Sequence, residues 1–440
     1  MSYYVQLSLD TNALWQAAFR SAGNGALIGA GGTSTPTKFW LTMGPRGTNY
    51  NAIETDSDLK NAVDDWYSQR GSAKVCCVNL SGYSSNGMSI IDETPRPLPD
   101  GTIDTFFVSA NPVISFDQIT IIENGNEYEL PEGGYTYELQ QVDGVYTGTF
   151  TVDPIPSRSA LIYVDYTMDA LTGALRDIMT EDVQFVILAN ETGLDNLQTL
   201  RRHVDLAFSC GRYRMGVAML PQNQRLTGTY RNYPQQLASE NMILLGHTTT
   251  NDMAACYAGA LSGIRVFDDP ILMSVNASYD NRFDDNDRLS FQAAKVNCID
   301  NYYSHELGLR GLRNFTLSPT SDRQFVDFVR TYQDLMWRLI STLDSPNVIG
   351  KIPFNRTGMA KLRSKIHEAF LIPRQIGEID QLTGITIALE QIINKSFSSR
   401  TEEEQGVLNA AKANRKLGDI SVGFIYPGYV NDLDLKLKVV

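Results

Sequence analysis

The sequence predicts a multi-domain protein of the α/β (α+β) class: a layered α/β core, a small all-β domain inserted into it, and a C-terminal α+β domain with extended terminal strands. Three observations carry that expectation. Segments of strand and helical character alternate over residues 25–80 and again over 168–263. Residues 102–166, between them, hold strand and turn signals with no helical period. Both chain ends alternate apolar and polar side chains, which places each apolar set on one face of an extended strand. At 440 residues the chain exceeds what one hydrophobic core serves, and 42% hydrophobic with 20% charged residues suits globular domains.

In chain order, Tyr4 leads into the alternating strand Val5-Gln6-Leu7-Ser8-Leu9-Asp10, followed by a short helix over 12–19. The run Gly25-Ala26-Leu27-Ile28-Gly29 is apolar and punctuated by glycine. Residues 55–71 open with polar caps, space Leu59, Val63 and Trp66 at helical period, and end at a glycine; a buried strand over 73–80 follows. Thr94-Pro95-Arg96-Pro97-Leu98-Pro99-Asp100-Gly101 is a proline-rich junction into the β stretch. Its strands fall at 106–108, 119–122, 127–130, 146–150 and 161–164, with Asn124-Gly125, Gly133-Gly134 and Asp143-Gly144 as turns. The α/β rhythm resumes with a helix over 168–179, a strand over 183–188 and a helix over 194–210 that sets Leu197, Leu200 and Val204 on one face. A strand over 215–220, a short helix over 233–239, a strand over 242–246 and a small-residue helix over 252–263 follow. The helix over 323–343 carries a broad apolar face that includes Phe325, Val329, Leu335 and Leu339. Helices over 357–370 and 402–417 and strands over 385–389 and 420–426 precede the terminal strand Leu433-Asp434-Leu435-Lys436-Leu437-Lys438-Val439. The expected domains are an N-terminal arm (1–20) that belongs with the C-terminal domain, a middle domain (21–99 and 167–318), the inserted β domain (100–166), the C-terminal domain (319–422) and a C-terminal arm (423–440).

Composition excludes several classes. A net charge of −13 lacks the basic footprint of a nucleic-acid binder. No apolar run reaches the roughly 20 residues that span a bilayer, so no membrane insertion is expected, and Met1-Ser2-Tyr3-Tyr4-Val5-Gln6 is not a signal peptide, which points to assembly in a cytoplasm. Cys76, Cys77, Cys210, Cys256 and Cys298 have neither disulfide nor zinc spacing and read as buried free thiols. Gly23-Asn24-Gly25-Ala26-Leu27-Ile28-Gly29 follows a helix and enters a strand, the reverse of a dinucleotide-binding context. The acidic stretch Asp280-Asn281-Arg282-Phe283-Asp284-Asp285-Asn286-Asp287 lacks the spacing of a calcium loop and reads as a solvated surface loop. Of the four histidines, His203 and His367 read as polar helix-face residues and His305 has no metal-binding neighbour. His247, which closes an apolar strand before Thr248-Thr249-Thr250, is the best catalytic candidate. No nucleophile elbow or phosphate-binding loop occurs. A chain this poor in sites is expected to be an assembly unit with no catalytic, cofactor or metal residues.

The order of segments resembles the tail sheath proteins of contractile phages and related injection machines. The resemblance runs through Gly25-Ala26-Leu27-Ile28-Gly29, then Asp58-Leu59, Ala62-Val63, Trp66-Tyr67 and Gly71, and the strand after them. It continues through the small-residue helix Met253-Ala254-Ala255-Cys256-Tyr257-Ala258-Gly259-Ala260, Val296-Asn297-Cys298-Ile299, Gly308-Leu309-Arg310-Gly311-Leu312-Arg313-Asn314-Phe315 and the long helix over 323–343. It departs after that helix, where 347–354 replaces the family's usual Phe-Glu-Pro-Asn segment. The resemblance implies a homo-oligomer of hexameric rings stacked helically around a tail tube protein, bounded by baseplate and tail terminator proteins, in a virion tail or injection particle. It implies contraction without cofactor or ATP hydrolysis, and terminal strands that join a small sheet in neighbouring subunits. Those strands would be Tyr4, Val5, Leu7 and Leu9 at one end and Leu433, Leu435, Leu437 and Val439 at the other. Periodicity alone is equally met by edge strands of the chain's own sheet. By family analogy the tube contact belongs to the C-terminal domain, where Lys412, Arg415 and Lys416 cluster; the helix dipole favours cations there as well. Two further classes fit the same residues: a tail-associated or decorating protein that binds a receptor or glycan, and a Rossmann-like enzyme.

Overall fold

The structure is a computed structural model that describes residues 23–428, except 43, 71, 84–86, 269, 271–272, 279–282, 301–308, 312–313, 321–323, 346–347, 349, 416 and 418–419. The predicted helix over 12–19 and both terminal strands lie outside the described residues. Chain contacts divide the rest into two compact units, one up to Val329 and one from Arg330 on.

The first unit opens with β1 (Gly25–Gly29), β2 (Lys38–Leu41), α1 (Thr48–Ala52), α2 (Asp58–Tyr67) and β3 (Val75–Asn79). Seven strands then leave the core: β4 (Met88–Glu93), β5 (Thr105–Phe107), β6 (Ser115–Glu123), β7 (Asn126–Glu129), β8 (Thr136–Val142), β9 (Val145–Asp153) and β10 (Leu161–Met168). The chain returns through α3 (Ala170–Asp177), β11 (Phe185–Leu188), α4 (Leu194–Ser209), β12 (Met215–Met219), α5 (Tyr233–Gln236), β13 (Met242–His247) and α6 (Met253–Ser262). It continues with β14 (Ser274–Val275), α7 (Asp285–Ala293), β15 (Asn297–Asp300) and β16 (Leu309–Gly311). From α8 (Val326–Leu343) the chain passes into the second unit, with α9 (Arg356–Ala369), α10 (Leu371–Gln375), β17 (Gln381–Ile387), α11 (Ala388–Asn394), α12 (Glu402–Ala413) and β18 (Ile420–Ile425).

Nine strands form the core sheet in the order β14-β16-β15-β13-β12-β11-β1-β3-β2. β3, β1, β11, β12, β13 and β15 are parallel, and antiparallel strands close both edges. Parallel strands covered on both faces need continuous apolar runs, and Phe185-Val186-Ile187-Leu188 is one. Alternate residues serve opposite faces. Leu27, Cys77, Ile187, Val217 and Ile243 pack under α2 and α6, and Ile28, Cys76, Val186, Ala218 and Leu244 pack against α3 and α4. The adjacent cysteines therefore point to opposite sides of the sheet. All five thiols are free; four are buried and Cys210 is half-buried.

Capping side chains set the helix starts. Ser57 accepts the Lys60 N–H at 3.2 Å, Asp169 that of Thr172 at 2.6 Å, and Asp284 that of Asp287 at 2.8 Å. The last of these corrects the reading of the acidic stretch as a loop for residues 284–287. Asp284 begins α7, Asp285 and Asp287 occupy its first turn, and Arg225 pairs with Asp287 at 2.8 Å. His203 is likewise buried inside α4 against Arg214 (3.3 Å), not on a polar face, and burial holds its pKa well below the ordinary value.

The inserted strands make two sheets, β4-β10-β6-β7 and β5-β9-β8, around Phe106, Phe150, Ile121, Ile162, Val164 and Tyr166. Asn124-Gly125 and Asp143-Gly144 each have φ positive at both positions (52° and 82°, 53° and 79°), as tight hairpins of this twist require. Sequence patterning missed β4 and β8. β4 lies ahead of the proline-rich junction and pairs antiparallel with β10, Met88 opposite Met168, so the two connections to the core run side by side. A polar knot ties the insertion to α3. Glu93 Oε2 accepts from Tyr166 OH (2.6 Å), Ser109 Oγ (2.8 Å) and Arg176 Nη2 (3.2 Å), and its Oε1 accepts from the Ser109 N–H (2.6 Å). Phe107 packs beside it on Leu206 and Ala207 of α4.

Two outcomes follow from this packing. A Cβ on Gly259 of α6 would stand 2.7 Å from the Trp66 carbonyl oxygen of α2, so Gly259→Ala should cost about 1–3 kcal/mol in chemical denaturation. Replacing residues 88–168 with a short glycine-serine linker should leave a cooperatively folding core. Removing only 102–166, which strands β4, should give a poorly soluble one; equal solubility of the two deletions would contradict the assignment of β4 to the inserted sheet.

Candidate assembly surface

In the second unit, α8 contributes Leu335, Leu339 and Leu343, α9 Met359, Leu362 and Ile366, α11 Leu389 and Ile393, and α12 Leu408 to one apolar core. β17 and β18 lie on it as an antiparallel pair in the register Ile385↔Val422 and Ile387↔Ile420, with an irregularity at Leu382/Gly384. Ile385, Ile387 and Ile420 face the core. The strand predicted over 385–389 is displaced: β17 ends at Ile387, and 388–394 turn into α11. Glu378, fully buried just before β17, has its pKa raised by burial first and by the neighbouring Asp334 carboxylate second, against the Arg338 cation.

Among the described residues this sheet has two strands, so each has one edge whose N–H and C=O groups point away from the pair. Edge strands that must stay unpaired are short, charged, proline-bearing or bulged. Among the described residues, every other sheet edge is short or carries a charged side chain. β2 carries Lys38, β14 has two residues, β5 has three, β7 carries Glu127 and Glu129, β8 carries Glu138, and β4 is irregular against β10 with Asp92 at φ 56°. Gln381–Ile387 and Ile420–Ile425 contain no charged residue and no proline.

Strand-exchange residues Tyr4, Val5, Leu7, Leu9, Leu433, Leu435, Leu437 and Val439 lie outside the described residues, as does Lys416. Lys412 and Arg415 are exposed at the end of α12, Arg415 with φ 51°. That helix ends at Ala413, short of the expected 417. It begins with a capping box, Thr401 Oγ1 accepting the Glu404 N–H at 3.2 Å and Glu404 Oε2 accepting the Thr401 N–H at 3.1 Å.

His247 is 3% exposed, its ring nitrogens 2.8 Å from the Leu220 carbonyl oxygen and 3.1 Å from that of Thr249, and burial lowers its pKa to about 4. Strand order reverses at β1, and the carboxyl ends of β1 and β11 are where doubly wound sheets take ligands. Here a Cβ on Gly29 would meet Ala189 Cβ at 2.6 Å, and the Asn190 N–H donates to Asp252 Oδ2 at 2.7 Å. Asp252 also caps α6 through the Ala255 N–H (2.9 Å), and its own N–H donates to Asp65 Oδ2 (2.7 Å). No helix among the described residues is long and apolar enough to cross a membrane.

No protein-family model and no curated protein matches the chain. Solved structures do. The helical sheath of the anti-feeding prophage in its contracted state superposes over 96% of this chain and 94% of its own, with a TM-score of 0.56 and 10% identity. A sheath tail protein from Desulfitobacterium hafniense superposes over 84% of this chain and 90% of its own, with a TM-score of 0.51 and 13% identity. The fold is that of the tail sheath proteins of contractile injection systems.

Burial raises the Asp252 carboxyl to about 6, against backbone hydrogen bonds that lower it and with Asp65 adding to the rise. An acid held above its unfolded value adds stability that is full below about 3.8 and is lost as pH rises through about 6. The term is worth ~3 kcal/mol. Asp252→Asn should therefore flatten the decline of unfolding free energy between pH 4 and 6 relative to the parent chain; an unchanged slope would sink this assignment.

Proposed function

We propose that this chain is the sheath subunit of a contractile tail, in a virion or an injection particle assembled in the host cytoplasm. Subunits form hexameric rings stacked around a tube between baseplate and terminator proteins, and contraction of the stack drives the tube through the host envelope. The observation that carries the reading is the β17–β18 sheet: two uncharged, proline-free strands, where every other sheet edge among the described residues is short or charged. The alternating segments 4–9 and 433–439 supply strands with one apolar face each, and pairing them with these edges in neighbouring subunits would satisfy both backbones. The sheath fold supports the same reading. The role is mechanical: contraction runs between two packings of the subunit, the extended one held kinetically. Lys412 and Arg415 at the end of α12, together with Lys416, are proposed to face the tube. The domain limits expected from the sequence, with the arms at 1–20 and 423–440, complete the proposal, except that the inserted domain takes in β4 from Met88 and the C-terminal domain runs through β18 to Ile425.

Truncation after Asn431 should give a folded subunit that no longer polymerises. Four apolar side chains leave each interface, each worth about 1.5–3 kcal/mol when fully buried. Leu435→Lys with Leu437→Lys should act likewise, because it turns the buried face polar while keeping the strand's length. Thermal unfolding and electron microscopy on the same sample decide the matter. Tubes of normal length from the truncated chain would refute strand exchange, and a large drop in melting temperature would instead place the strand in the subunit's own sheet.

A further inference from the structure

Glu378 is completely buried in the second unit, and neither of its carboxyl oxygens meets an N–H or O–H donor. The polar group within hydrogen-bonding reach is another carboxylate, that of Asp334 on α8, itself 5% exposed. Two carboxylates hydrogen-bond only when one of them carries a proton. Arg338, one turn further along α8, donates through Nε to Asp334 Oδ2 and holds that side chain in place. With one proton the three groups sum to zero charge; without it, two buried carboxylates share one guanidinium. Burial first and the Asp334 charge second favour the proton, and the Arg338 cation opposes them.

Among the described residues, the surroundings offer no second counter-ion. α8 supplies both charged neighbours, and β17 and β18 carry no charged residue. Arg374 on α10, Asp380 ahead of β17, and His367 and Glu368 at the end of α9 are exposed to solvent.

Glu378 also stands at a joint. Its N–H donates to the carbonyl oxygen of Pro373 on α10 at 2.9 Å. Ile379 follows, 1% exposed in the apolar core. The Asp380 N–H then donates to the Ile425 carbonyl oxygen at 3.0 Å, where this segment begins to pair with the end of β18. Removing the proton from an enclosed pair leaves like charges in contact, and bringing Glu378 out to water relieves them. That movement draws Ile379 from the core and loosens Asp380 from Ile425.

We propose that Glu378 and Asp334 form a proton-operated latch that fixes the head of β17 against α8 and opens when the shared proton is lost. The latch regulates the sheet of the proposed assembly surface, and its consequence for assembly rests on the sheath reading. The β17 edge is a fixed template while the proton is held and frays at its first residues in alkali. Glu378 is raised from 4.5 to about 8, so the stability it contributes is full below 4.5, falls as pH rises and is gone above about 8.

The test uses the full chain. Between pH 6 and 7.5, above the range in which Asp252 acts, the unfolding equilibrium constant of the parent should rise by up to about tenfold per pH unit relative to Glu378→Gln. The amide of that variant keeps the neutral form at every pH and donates to Asp334. At pH 9 the backbone amides of 378–387 should exchange with deuterium faster in the parent than in Glu378→Gln, and at pH 6 equally. Comparing the two chains at one pH cancels the intrinsic pH dependence of exchange. Asp334→Asn removes the second carboxylate and should behave as Glu378→Gln does. The concentration at which tubes form should rise at pH 9 for the parent and not for Glu378→Gln. Equal exchange by parent and Glu378→Gln at pH 9 overturns the latch and leaves the sheath reading standing. So does a Glu378→Gln chain that fails to fold, since its amide has the size and charge of the protonated acid. A parent chain that forms no tubes at any pH overturns the sheath reading alone, because exchange still decides the latch.

Discussion

A strand's outward N–H and C=O groups must find partners, and the management of sheet edges runs through this chain. In the core sheet the edges are a two-residue strand and a strand that opens with Lys38. In the insertion they are short, acidic or irregular. Among the described residues, only the second unit leaves edges that are neither short nor charged, on strands of seven and six residues backed by a well-packed apolar core. A two-stranded sheet is marginal alone. Packing against α8, α9, α11 and α12 holds this one in place, so its edges persist as fixed templates for pairing.

The first unit follows a different rule, that of permanent closure. α2 and α6 approach closely at Gly259, and at the carboxyl end of β1, where similar sheets take ligands, Gly29 packs against Ala189. Buried carboxylates Asp65 and Asp252 cap and bridge the loops there. The inserted β module is fixed to that body by the knot of Glu93, Ser109, Tyr166 and Arg176. In the proposed sheath the insertion would move with the core as one piece.

Much of the architecture was legible from residues alone. Leu59, Val63 and Trp66 announced α2, Asp252 and Gly263 bracketed α6, and the Asn-Gly and Asp-Gly pairs marked the hairpins, because spacing, caps and left-handed turn residues act within a few positions. β8 was missed because Thr136–Val142 mixes Glu and Gln on a solvent-facing strand. β4 was missed because its pairing partner lies beyond the whole insertion. The acidic stretch at 280–287 was read as a loop because nothing in its own composition says that Asp284 begins a helix. Of the assembly surface, the alternating termini were visible at once, whereas the features of the sheet they would meet were not.

The sequence by itself determined the period of each segment, the caps and turns that bound it, the sheath-like order of elements and the poverty of catalytic groups. These are local or compositional properties. Only the tertiary structure decided which strands are edges, that among the described residues β17 and β18 form a pair without charge or proline, and that His247 and His203 are enclosed. Each of those depends on neighbours far apart in the chain, whose approach is set by packing and carries no local signal.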